Sequence, residues 1–151
     1  MAHTPVNHPA RPIYRALGGL TGLYLAIFGV LGFIANSGEE FFARDGVAVL
    51  GQGTNLAYSV LATVLGVAIL VAIGVGRNAD TKLTKFLGFA YLILSLAELA
   101  VLRTDVNILG FSVATVIVSM IIGLVLMMVG MYTKVGSEEE YRAWQQSRLQ
   151  L

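Results

Sequence analysis

Residues 86–102 read FLGFAYLILSLAELAVL, an apolar run interrupted by one charged side chain, Glu98. As a helix rising about 1.5 Å per residue, a run of this length reaches the lower bound of about 17 residues that a hydrocarbon core needs. The stretch therefore reads as a membrane span, and its glutamate requires a reason. Taking every third and fourth position from Thr84 gives Gly88, Tyr91, Ser95 and Glu98 on one face. Phe86, Phe89, Leu92, Ile93, Leu94 and Leu96 cover the remainder. The small and polar face is expected to turn into a helix bundle. Glu98 precedes Arg103 by five residues, which sets it about 7.5 Å inside the membrane boundary.

The rest of the chain supports a bilayer location. Its 151 residues are 56% hydrophobic and 13% charged with a mean hydropathy of +0.76, more apolar surface than a soluble domain of this length buries. Four spans are expected, at about 14–35, 56–76, 86–102 and 111–132, giving an all-α integral membrane four-helix bundle. The first is not read as a signal peptide, because Ala16–Ala35 exceeds the usual apolar core of such peptides and no A-x-A site follows. Cysteine is absent, which removes disulfides, thiolate catalysis and iron–sulfur ligation.

Basic residues set the orientation, since Lys and Arg near span ends stay on the cytoplasmic side. Arg11 and Arg15 precede the first span, Arg77, Lys82 and Lys85 separate the second from the third, and Lys134, Arg142 and Arg148 follow the fourth. The two other loops contribute only Arg44 and Arg103. Both termini are thus expected in the cytoplasm and the protein in the plasma membrane as a multi-pass chain. Residues 1–13 form a proline-rich cytoplasmic arm, expected to be disordered or extended along a partner. Residues 14–136 form the membrane domain, and 137–151 a cytoplasmic amphipathic tail. Gly136 is expected to end the fourth helix. Ser137 and Glu140 have the spacing of a capping box, so a short helix should follow. Tyr141 and Trp144 share its face and are candidates for contact with a partner. In the outer loop, Val47–Leu50 lies between glycines and is expected to dip toward the bilayer surface or the bundle mouth.

Association within lipid relies on small residues that let backbones approach. Lines of these occur in the first span (Gly18, Gly22, Ala26, Gly29), the second (Ser59, Ala62, Thr63, Gly66) and the fourth (Thr115, Ser119, Gly123, Gly130). Glu98 should have a partner, because intramembrane carboxylates face protein or water. Ser95, Gln52, Tyr58 and Arg44 are the candidates. Catalytic chemistry is poorly supplied. His3 and His8 sit in the terminal arm, no span holds a lysine, and no nucleophile–base pair or phosphate-cradling glycine motif is visible. No cofactor, metal or nucleic acid is expected.

The order of features, "LYLAIFGVLGFIANSG", "LGQGTNLAYSVLATVLG", a basic turn, "LGFAYLILSLAEL" and "RTDVNILG", resembles the bacterial, largely actinobacterial four-helix membrane proteins grouped as domain of unknown function 4383. The resemblance covers about residues 17–132 and implies fold and topology without an activity. In that family a histidine commonly follows the asparagine opening the second span, and another follows an aspartate–asparagine pair opening the fourth. Here Asn55, Asp105 and Asn107 are kept, Tyr58 stands where the first histidine falls, and no second one follows. Two other glutamate-bearing four-helix groups, rotary proteolipids and small multidrug transporters, place their carboxylate on a different helix.

The expected function is a non-enzymatic accessory subunit packed against other membrane protein subunits and lipids, with a respiratory or envelope-lipid transport assembly as host. The rival expectation is a small homo-oligomeric transporter or channel, coupled to protons or ions through Glu98.

Overall fold

The computed structural model describes residues 4–44 and 46–148. Helices α1 (Arg11–Ala35), α2 (Leu56–Val75), α3 (Ala79–Val101) and α4 (Val113–Tyr132) are, among the described residues, long and apolar enough to cross a membrane. A hairpin of β1 (Ala48–Val49) and β2 (Gln52–Gly53) lies between α1 and α2, and α5 (Glu138–Arg148) follows α4.

Local chemistry marks the helix boundaries. The Asn55 side chain accepts the Tyr58 N–H at 3.0 Å to start α2. Ser112 and Thr115 form a reciprocal capping box at the start of α4. Gly76, Arg77 and Asn78 are all left-handed (φ 63°, 49° and 67°), which turns the chain back from α2 into α3. Asn78 steadies that turn by bonding both backbone groups of Val135, each at 2.7 Å.

Small residues then dictate the packing. A Cβ added to Gly66 would fall 2.6 Å from the Gly22 carbonyl and 3.0 Å from Ala26 Cα. One added to Gly88 would meet the Gly123 carbonyl at 2.9 Å, and one on Gly130 the Lys85 nitrogen at 2.6 Å. Glycine thus allows backbone-to-backbone approach of α1 on α2 and of α3 on α4. The two antiparallel pairs meet more loosely, along α1–α4 and α2–α3. Leu25, Phe28, Ile69, Leu126 and Val129 fill the centre, while Val64, Val71, Phe86, Phe89, Ile93 and Leu124 stay exposed on the lipid-facing surface.

At the loop end, the hairpin turn runs through Leu50 and Gly51, both with positive φ (51° and 77°), the geometry of a two-residue hairpin. The hairpin seats on the bundle mouth: Val49 and Gln52 are buried, and Thr115 Oγ1 donates to the Gly53 carbonyl at 2.7 Å.

Three boundaries differ from expectation. Helix α3 begins at Ala79 instead of residue 86, because Asp80 and Thr81 turn inward while Lys82 and Lys85 turn outward. Helix α4 ends at Tyr132 with Thr133 as cap, before Gly136. The described part of the N-terminal arm, residues 4–13, lies against its own chain. Pro12 is accommodated in the first turn of α1, where a missing N–H costs nothing. Ahead of it, Val6 is buried and Asn7 bonds Lys134 and Gly136 of the same chain. His3 and Leu149–Leu151 lie outside the described residues.

Candidate functional site

The inward face of α3 carries Asp80, Thr81, Thr84, Gly88, Tyr91, Ser95 and Glu98, all buried. Its polar groups form two foci, one toward the loop end of the bundle and one at the end that bears the termini.

Toward the loop end, Tyr58 is packed by the rings of Phe111 (4.4 Å between centroids) and Phe28 (5.8 Å), and its hydroxyl lies 3.3 Å from Ser119 Oγ. The Tyr91 hydroxyl sits beside that of Tyr58 without reaching hydrogen-bond geometry. Ser95 is turned back on its own helix, donating to the Tyr91 carbonyl at 2.5 Å.

Glu98 is 6% exposed, and its Oε2 is buried without a hydrogen-bond partner. Each partner expected for it is engaged elsewhere. Ser95 serves the Tyr91 backbone, Gln52 donates to the Tyr24 hydroxyl, Tyr58 pairs with Ser119, and Arg44 forms an exposed ion pair with Asp105 at 2.6 Å. In each case a backbone carbonyl or another side chain takes the donor instead. Glu98 is therefore a buried acceptor for which this chain supplies no donor among its described residues.

The second focus was missed by sequence reasoning. Asp80 is fully buried, with Oδ2 3.3 Å from Arg11 Nη2 and 3.2 Å from Arg15 Nε. Its Oδ1 accepts the Thr81 N–H at 3.0 Å. Arg11 Nε also donates to the Thr133 carbonyl at 2.8 Å, and Arg15 Nη2 donates to the Ile73 carbonyl. The two guanidiniums thereby cap the C-terminal ends of α4 and α2. Thr81 and Thr133 join their hydroxyls at 3.0 Å. The cluster ties the terminal-side ends of all four spans together. Extending the Thr84–Glu98 face back by one turn would have reached Asp80 and Thr81.

The kept motif residues build the loop end. Asn55 Nδ2 donates to the carbonyls of Ala43 (3.0 Å) and Ile108 (2.8 Å), holding the two loops together. Asn107 closes the α3–α4 turn through Leu102 and Phe111. In the tail, Ser137 and Glu140 form the reciprocal cap, and the rings of Tyr141 and Trp144 stack at 6.0 Å on one face of α5. Among the described residues, no three His, Asp or Glu side chains come together as a metal set.

A family model described as a domain of unknown function, DUF4383, matches residues 15–132, and the chain belongs to that family. No curated protein and no solved structure matches it.

Proposed function

We propose that this DUF4383 chain is a non-enzymatic accessory subunit that packs against other membrane proteins in a plasma-membrane complex, with both termini in the cytoplasm. The observation that carries the reading is Glu98, a buried carboxyl whose possible donors within the chain are all committed elsewhere. Buried polar groups in lipid are normally satisfied, so a donor from a neighbouring subunit completes the site. Other interior polar groups, Tyr58 with Ser119 and Thr81 with Thr133, fasten the helices to one another. Basic residues at the terminal side support the orientation, and Tyr141 with Trp144 gives the tail an aromatic face for a contact. A respiratory or envelope-lipid transport assembly is the proposed host.

The rival, a proton- or ion-coupled oligomer, would use the same carboxyl and needs a path past it. Between Tyr91 and Thr84, Gly88 is in backbone contact with Gly123 and Met127, a close helix contact that suits packing better than a transport route. Purification from native membranes in mild detergent tests the reading. A second membrane protein should co-purify in fixed ratio, whereas the chain isolated only with copies of itself would contradict it.

A further inference from the structure

The cluster around Asp80 holds more positive charge than it neutralises. Two guanidiniums share one carboxylate, and Arg11 and Arg15 keep 23% and 28% of their side-chain surface exposed. Arg11 directs Nε to the Thr133 carbonyl and Nη2 to Asp80, and Arg15 directs Nη2 to the Ile73 carbonyl; Arg15 Nε lies 3.2 Å from Asp80 Oδ2 but is buried without a hydrogen bond, and neither Nη1 group has an acceptor among the described residues. The helix dipoles do not remove the excess. Two helix C-termini, from α2 and α4, and two helix N-termini, from α1 and α3, meet at this end and offset one another.

Position and surroundings identify the counter-ion. The cluster lies where the four spans end, the level of lipid headgroups. Next to it Tyr14 and Tyr132 stack at 4.7 Å, with the His8 ring against both at 5.9 and 5.2 Å, an aromatic shelf of the kind found at membrane interfaces. The Arg15 guanidinium lies against Gly76, where an added Cβ would stand 3.4 Å from Nη2. We propose that Arg11 and Arg15, held by Asp80 beside the Tyr14–Tyr132 shelf, bind the phosphate of an anionic phospholipid from the adjoining leaflet. Guanidinium is suited to phosphate because its planar donors match two oxygens at once.

The test compares the full chain in nanodiscs of phosphatidylcholine with and without phosphatidylglycerol, reading lipid retention by native mass spectrometry and melting temperature. Phosphatidylglycerol should be retained and raise the melting temperature; equal retention of both lipids would overturn the proposal. Inorganic phosphate in phosphatidylcholine discs separates the sources, and a rise as large as that with phosphatidylglycerol would overturn the lipid assignment. Arg15→Gln should weaken retention about fivefold, the effect of one basic group at a charged surface. The exposed pair Arg77→Gln/Lys82→Gln should change it little, and equal losses in the two variants would mean diffuse attraction and overturn the site. Arg15→Lys guards against a trivial folding loss. It keeps a positive charge beside Asp80 and loses the planar fork, so retention should fall while the melting temperature in phosphatidylcholine discs stays at the parent's, whereas full retention contradicts the proposal.

Discussion

Asp80 at the start of α3 lies 3.2 Å from Arg15 on α1, an ion pair whose carboxylate is fully buried and whose guanidinium side chain stays 28% exposed. Arg11 completes the pair from the same helix at 3.3 Å. Removing one member of a fully buried pair costs about 3–5 kcal/mol. Partial exposure of both arginines lowers the expected cost to about 1–3 kcal/mol, because solvent screens what is left unpaired. Asp80→Leu should therefore lower the melting temperature of the detergent-solubilised protein, and more than Lys82→Leu at an exposed neighbouring position. Equal melting of the two variants would assign the cluster no stabilising role.

The helix contacts make an opposed pair of predictions. Gly66→Ala forces a Cβ against the backbone of α1, an overpacking expected to cost about 1–3 kcal/mol. Gly74→Ala meets nothing within 4 Å and should stabilise α2 by about 0.5–1 kcal/mol through helix propensity. Thermal unfolding of the two variants checks both signs.

These contacts also show what the sequence could disclose. Gly22, Gly66, Gly123 and Gly130 stood out because packing within lipid depends on local periodicity, which a sequence displays directly. The inward face through Tyr91, Ser95 and Glu98 was legible for the same reason. Asp80 was hidden for two reasons. Its hydropathy, with that of Lys82 and Lys85, makes the first turns of α3 resemble a loop, and its partner Arg11 lies 69 positions away. The loop-joining role of Asn55 was equally out of reach, since it bonds the carbonyls of Ala43 and Ile108, which only the folded loops bring near.

Orientation can be read by labelling. Cysteines placed singly at Ser37 and Thr104 should react with an impermeant thiol reagent in intact cells, while those at Lys82 and Glu139 should not. All four positions are exposed. Asn78 is a poor probe site because its side chain bonds the Val135 backbone. The reverse labelling pattern would place the termini outside the cell.

Deleting residues 137–151 separates fold from association. The ion pair between Lys134 and Glu140, at 3.6 Å, is exposed and worth little, while the clasp of Asn7 on Gly136 survives the cut. Bundle stability should change by less than about 0.5 kcal/mol, and recovery of the membrane protein expected to co-purify should fall. A truncated chain that fails to fold, or one that retains its partner fully, would contradict the role given to the tail.

The central claim, that Glu98 receives its partner from another subunit, is tested by comparing Glu98→Gln with Glu98→Leu for yield of the native complex, alongside pH-driven flux in vesicles containing the parent protein. An amide still accepts and donates hydrogen bonds where the carboxyl did, whereas leucine leaves the partner's donor unsatisfied at a cost of about 1–3 kcal/mol. The account predicts a complex largely intact with Gln, depleted with Leu, and no proton flux from the parent. Flux in the parent, abolished by Gln while assembly stays normal, would contradict it and make Glu98 a titrating transport group.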